Sequence, residues 1–536
     1  MSLLLIRRLI MSLRPRKDST PSRAKKRPRI DKRRAIEPYS HDDVLWHDVR
    51  ALLGNDTVHS AEQHATDWDA PFQFREELEV VVDRLSSNGN ALALAPPPRS
   101  NWVIVAPFAL PGERIRVRVY RGARLHSFAD LLDVLNPNPD LRDDSRVQCK
   151  YFGQCSGCQY QMISYEKQLE IKRNVVVKAY QNFSSLPFSA VPTVLPTMGS
   201  PKQYNYRTKI TPHFEAPPKK ARADPPSTSS KPDWLKIGFN EIGKKTVIDI
   251  EECPIATPVL NQALETSGPT KNGVSLLLRD SLDPSIPIDL TNHTPDDPTQ
   301  HICVTDHKAT VRERVGDTYF EFPGHAFFQN NNSILVPLTN YVRDAIFPSA
   351  ATSTDDNASP THLVDAYCGS GLFSILLSSH FHTVAGIELA TDAIRSATAN
   401  AQLNRLPPDR CTFLAGDASD IFSTVSHFPR EKTAVIIDPP RKGCDTRFLE
   451  QLLEFGAGTV VYVSCNVHTQ ARDVGMIVKR SEESGVGGPL EQGMQERARK
   501  KYVLESLRGF DLFPQTAHVE SVAVLRLVSL EEDMTN

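Results

Sequence analysis

The stretch THLVDAYCGSGLFSILLSSHFHTVAGIE, residues 361–388, decides the fold. An apolar run leads through Asp365 and Tyr367 into Gly369-Ser370-Gly371, a helical pattern follows, and a second apolar run ends in Glu388. A strand that ends in glycines and opens a helix lets backbone approach a ligand, and the helix start favours negative charge. A carboxylate ending the next strand can accept both hydroxyls of a ribose. NAD, FAD and S-adenosylmethionine all suit such a turn. One glycine pair without GxGxxG spacing favours S-adenosylmethionine over a dinucleotide.

Downstream, CTFLAG, TAVIIDPP and GTVVYVSC read as buried strands, with helical patterns at 391–404 and 468–479. This alternation predicts an α/β fold, a doubly wound, Rossmann-like parallel sheet. The third strand ends in Gly416-Asp417, suited to an adenine amine. Residues 509–527 read as two further strands, an antiparallel pair. Parallel strands point their carboxyl ends at the ligand crevice. Asp438, in IIDPPRKG (436–443), and Cys465, after VVYVS, therefore share that crevice with the glycine turn. Pro439 and Pro440 make Asp438 a rigid acceptor. Arg441 stands where amino-group methyltransferases place an aromatic residue, which argues against methylation of an exocyclic amine.

Upstream, residues 41–70 carry one short helical pattern: Val44, Leu45, Val49, Leu52 and Leu53. From Glu79 the pattern turns to short strands between Gly, Pro and Asn turns, which predicts a small OB-like barrel over 72–135. In ERIRVRVYR, Arg114, Arg116 and Arg118 share one face by period-two geometry. That face is either a solvated strand or a backbone-binding surface for nucleic acid. A mixed α+β middle region spans 145–345, interrupted by Pro-rich polar stretches at 212–232 and 284–300, and a third polar loop covers 348–360. The catalytic-looking unit runs over 346–536.

The middle region opens with CKYFGQCSGCQYQ, which spaces Cys149, Cys155 and Cys158 as C-x5-C-x2-C. Cys253, followed by Pro254, is the best fourth ligand. Four thiolates suit a [4Fe–4S] cluster or a zinc ion.

The chain has 536 residues, 40% of them hydrophobic and 24% charged, which fits two to four domains with sizeable cores. No apolar run reaches the length of a membrane span. Nine cysteines are too few for a disulfide scaffold, so clustered cysteines read as metal ligands or nucleophiles in a reducing compartment. The net charge of −2 hides an asymmetry: residues 1–36 hold 13 Lys and Arg against Asp18 and Asp31, so the remainder is acidic. Residues 1–40 read as a disordered basic tail. Met1–Arg16 suits a mitochondrial presequence and KKRPRIDKRR (25–34) a nuclear import signal. The expected location is nucleus and cytoplasm, with a mitochondrial form from the Met1 start.

FFQNN (327–331), DAYCGSGLF (365–373), DPPRKG (438–443), YVSCNVHTQARD (462–473) and HVESVAVL (518–525) together resemble the RNA uracil-C5 methyltransferase family. The barrel resembles that family's TRAM domain, an RNA-binding module. The resemblance implies that Cys465 is the nucleophile, that Glu520 is the base, and that Gln329, Tyr367, Glu388 and Asp438 contact S-adenosylmethionine. It implies tRNA as the partner, a T-loop uridine as the target and 5-methyluridine as the product, with ribosomal RNA as the alternative substrate and RNA binding during tRNA maturation as the alternative role. It favours iron–sulfur over zinc at Cys149, Cys155, Cys158 and Cys253. Leu372 stands where some members have Asn, so that contact is not carried over. A monomer without membrane association is expected. The thiolate is expected to owe a lowered pKa to Arg441, Lys442 and the helix starting near His468.

Overall fold

The computed structural model describes residues 35–215, 234–266, 275–291, 297–348, 359–416, 421–486 and 500–529. The targeting signals, most of the first Pro-rich stretch, part of the second, most of the 348–360 loop, and Asp417 lie outside the described residues. No described helix is long and apolar enough to cross a membrane.

The helix His41–Leu53 starts where Ser40 Oγ accepts the Asp43 amide, and buries Val44, Leu45 and Val49. Leu45 and Val49 pack into one core with a six-stranded sheet, whose strand order is 77–81, 114–122, 126–136, 103–106, 91–94, 84–85. The first and last strands in that order are separated by only Val82 and Asp83 in the chain, so the sheet must roll until its edges meet.

Alternation along Arg114–Gly122 is as the sequence predicts: Ile115, Val117 and Val119 are buried beneath the arginines. The cationic face needs correction. Arg114 pairs with Glu79 at 2.5 Å, Arg118 with Glu77 at 2.6 Å, and Arg116 with Asp133 on the other neighbouring strand. Asp133 and Glu77 stand directly across from Arg116 and Arg118, and Glu79 diagonally from Arg114, so each of the three charges has a carboxylate partner.

The catalytic sheet has eight strands in the order 411–415, 383–388, 362–366, 433–437, 459–464, 520–529, 500–510, 195–198. The five predicted strands from 362 to 464 are mutually parallel. Burial on both faces explains the unbroken apolar sequences of the four inner ones, while the edge strand 411–415 is largely exposed. The antiparallel pair is longer than its sequence signal, starting at Lys500. The parallel edge strand Leu195–Met198 comes from the middle of the chain. The helix Tyr165–Phe183 comes with it, and buries Val175, Val176, Ala179 and Tyr180 in the same core as Phe448, Leu452 and Tyr462. Its close approach to the helix Val467–Ser484 depends on Gly475: a Cβ there would lie 1.9 Å from the Ser184 carbonyl oxygen.

Candidate active site

Five parallel strands send their carboxyl ends to one edge, and an antiparallel neighbour must begin where they end. The register shows the consequence: Ser464 pairs with Ser521, so Cys465 and Glu520 stand one step beyond, opposite one another. Asp438 follows Ile437, which pairs with both Ala366 and Tyr462. The nucleophile, the base and the acidic acceptor expected from the sequence therefore meet at one edge.

The glycine turn is built as read. Tyr367 (φ 65°), Gly369 (φ 55°) and Gly371 (φ 90°) all lie in the left-handed region, and Gly371 caps the short helix Leu372–Leu376. A Cβ on Gly369 would meet nothing within 4 Å, so that side of the turn is open to a ligand. Glu388 ends its strand beside it, Oε2 accepting the Gly369 amide at 3.3 Å and Oε1 the Ala390 amide at 3.0 Å. Asp365 accepts from the Ser374 amide and hydroxyl, and its buried Oδ1 is left without a partner. Leu372 packs into an apolar cluster with Phe328 and Ile375, a core role that explains its departure from Asn. That cluster also brings the FFQNN loop against the glycine-turn helix, with Gln329 buried and Phe327 exposed.

Charge at this edge is one-sided. Burial, and then Asp438, push the Glu520 carboxyl up to about 8. Burial, and then Asp365, push Asp438 up to about 7. The Cys465 thiol is pushed up to about 12, first by burial and then by Glu520 and Asp438, with Arg441 opposing. The expected lowering of this thiol is therefore corrected for the ligand-free protein: two carboxylates and burial outweigh one guanidinium. His468 adds no charge there, because burial holds it neutral down to about 4. The helix N-terminus is present, with Asn466 Oδ1 accepting the His468 amide.

The loop carrying Arg441 is fixed from that same helix. Asn466 Nδ2 and Thr469 Oγ1 both donate to the Arg441 carbonyl, and Arg472 donates to the carbonyls of Lys442 and Cys444. Gly443 (φ 76°) lets the loop lie this close: a Cβ would come within 2.5 Å of Arg472 Nη2 and Asp473 Oδ2. Sequence reading missed Asn400 and Asn331, both fully buried. Asn400 Nδ2 donates to the Ser370 carbonyl within the glycine turn. Asn331 Nδ2 donates to Ser200 Oγ and the Leu512 carbonyl. The pair Asn400 and Asn404, one turn apart in the 391–404 helical pattern, was the available signal.

Cys149, Cys155, Cys158 and Cys253 line one cavity of about 200 Å³, together with Tyr151, Gln161, Arg207 and Thr516. Cys253, grouped with the other three from sequence, borders the same cavity. Among the described residues, no group of three or more His, Cys, Asp or Glu side chains is arranged to hold a metal ion. Burial raises all four thiols, Cys158 to about 12 and Cys253 to about 11. Gln161 Oε1 accepts the amides of Gln148 and Cys149, and its buried Nε2 has no oxygen or nitrogen partner.

A family model described as tRNA (Uracil-5-)-methyltransferase matches residues 299–482 of the chain. A Schizosaccharomyces pombe protein named tRNA (uracil(54)-C(5))-methyltransferase is 42% identical, over 94% of this chain and 88% of that one. The Saccharomyces cerevisiae protein of the same name is 37% identical, over 96% and 85%. The crystal structure of Pyrococcus abyssi tRNA (uracil-54, C5)-methyltransferase in complex with S-adenosyl-L-homocysteine superposes with a TM-score of 0.54 at 22% identity, covering 84% of this chain and all of that one. That last likeness shows a shared fold.

Proposed function

The chain belongs to the tRNA (uracil-5-)-methyltransferase family, and from that premise we propose that it methylates C5 of a T-loop uridine in tRNA, position 54 in the names of its relatives. The observation that carries this reading is the meeting of Cys465, Glu520 and Asp438 at the carboxyl edge of the sheet, beside the open glycine turn.

C5 of uracil is a poor nucleophile. The Cys465 thiolate adds to C6, and the electron pair displaced to C5 makes that carbon enolate-like. S-adenosylmethionine, when bound, supplies the methyl group that C5 takes up. Glu520 then removes the C5 proton; the freed pair restores the C5–C6 double bond and the C6–S bond breaks, returning Cys465 as thiolate. Glu388 is placed for ribose hydroxyls. Gln329, Tyr367 and Asp438 would contact the donor, and the unpartnered Asp365 Oδ1 adds to an acidic surround that suits a sulfonium cation. Cys465 is held protonated first by burial and then by Glu520 and Asp438, and a cation bound there would offset the carboxylates' share. A target uridine inside a folded loop must be flipped out to reach this edge.

We propose the cysteine cavity as the place of a [4Fe–4S] cluster, because four thiols line it. Gln161 lines the same cavity beside Cys158, where its side-chain amide can donate to a thiolate. Cys149, Cys155, Cys158 and Cys253 would be its ligands. The cluster would serve as a brace, since methyl transfer to C5 moves no net electron. Incubation with labelled methyl donor and unmodified tRNA, followed by nucleoside analysis, tests the function: label in 5-methyluridine supports it, and label in 5-methylcytidine or in no nucleoside refutes it.

A further inference from the structure

Glu520 is the first residue of its strand, and the nine residues before it, 511–519, form the connection from Phe510. That connection is held from outside. The amides of Gln159 and Tyr160 both donate to the Gln515 carbonyl, at 2.8 and 3.0 Å. Gln159 Oε1 accepts the Ala517 amide at 3.0 Å. Gln168 and Gln515 exchange two hydrogen bonds, each 3.0 Å. Gln515 is buried with φ 71°, a left-handed backbone that a non-glycine residue keeps only when its surroundings impose it. Gln159 is bonded directly to Cys158, and Thr516 lines the cysteine cavity. The cysteine loop therefore grips the chain three to five residues before the base.

We propose that Gln159 is a positioning residue for Glu520: its side chain fixes Ala517, and through Ala517 the point at which the catalytic strand begins. The inference rests on Glu520 as the C5 base. Proton removal and thiolate expulsion occur in one late stage, after the methyl group has been transferred. Misplacing Glu520 therefore slows release from the adduct and spares the earlier addition and methylation. Near-ångström errors in a reacting group slow a step by about a hundredfold, so a loosened connection is enough to change which step limits turnover.

The test compares Gln159→Met and Gln159→Ala, which lack the acceptor, with Gln159→Glu, which keeps a carboxyl oxygen for the Ala517 amide. All are made in the full-length protein and followed in a single turnover on unmodified tRNA. The acceptor-less variants are expected to form the methylated protein–RNA adduct at nearly the wild-type rate, and to release product about tenfold or more slowly. KM for the methyl donor should hold, and Gln159→Glu should restore release. Hydrogen exchange gives a second readout: the Ala517 amide should exchange faster in Gln159→Met and Gln159→Ala while helix 467–484 stays protected. Unchanged release, equal behaviour of Met, Ala and Glu, or unchanged protection of Ala517 would each overturn the proposal. If the wild-type protein makes no 5-methyluridine, the reaction assigned above fails instead, and the exchange measurement still decides whether Gln159 holds the connection.

Discussion

Cys465 and Glu520 face one another across the catalytic edge because Ser464 and Ser521, one residue inside, are direct antiparallel partners. They lie 55 positions apart in the chain, yet a single strand pairing sets their relation. Burial first, and then Asp438, raises the Glu520 carboxyl; burial, Glu520 and Asp438 raise the Cys465 thiol. The edge therefore carries an excess of acidic groups that hold their protons tightly.

That excess has a pH signature. Glu520 and Asp438 hold protons more tightly folded than unfolded, where carboxyls titrate near 4. Such groups favour folding while protonated and oppose it once ionised, so their contribution is present below about pH 4 and is lost as pH rises through about 7 to 8. The melting temperature of the ligand-free protein should fall from pH 6 to pH 9, and Glu520→Gln should flatten that fall. S-adenosylmethionine should bind more tightly at pH 8.5 than at pH 6, and S-adenosylhomocysteine, which lacks the sulfonium, should show a weaker trend. Calorimetry at the two pH values checks both; equal trends for the two ligands would remove the electrostatic explanation.

The barrel's arginines carry a second prediction. Each of Arg114, Arg116 and Arg118 already faces a carboxylate. Exposed pairs of this kind contribute about 0–1 kcal/mol each, so replacing all three with Gln should alter stability little. It should leave tRNA affinity within about twofold and the salt dependence unchanged. An arginine that truly bound phosphate would, on replacement, lower the log–log slope by roughly 0.7. A shallower slope in the triple variant would return RNA binding to this face.

Gly443 supports a third. Any side chain there meets Arg472 and Asp473, which hold the loop of Arg441 and the backbone of Cys444. Gly443→Ala should destabilise the protein by about 1–3 kcal/mol through overpacking and left-handed strain. It should also lower turnover more than donor affinity, because Arg441 acts on Cys465 rather than on the glycine turn. Thermal melting and donor titration separate the two effects.

For the cysteine cavity, the purified protein should be brown and carry about four irons, and Cys158→Ser should bleach it. One zinc and no iron would assign the same cavity to a single ion.

The parallel sheet was legible because buried strands read as unbroken apolar runs ending in glycine, Asp-Pro-Pro or Ser-Cys. Cys465, Asp438 and Glu388 were legible for the same reason: topology puts strand ends together whatever their spacing. The arginine face was half legible. Alternation along 114–120 is local, but the carboxylates opposite lie on strands 77–81 and 126–136, and strand register cannot be read from one strand. The thiol's raised pKa was not legible, since it sums burial with two carboxylates brought from 438 and 520. The roles of Gln159 and Asn331 escaped notice because their partners, Ala517 and Leu512, lie 358 and 181 residues away.

The central claim is a covalent bond between Cys465 and C6 of a tRNA uridine. The most direct measurement incubates the Glu520→Gln variant with methyl donor and unmodified tRNA, isolates the species stable to denaturing gels, and sequences the nuclease-trimmed adduct by mass spectrometry. The account predicts a methylated uridine nucleotide attached at Cys465, absent from the Cys465→Ala variant. An adduct on another cysteine, or full formation of 5-methyluridine by Cys465→Ala, would contradict it.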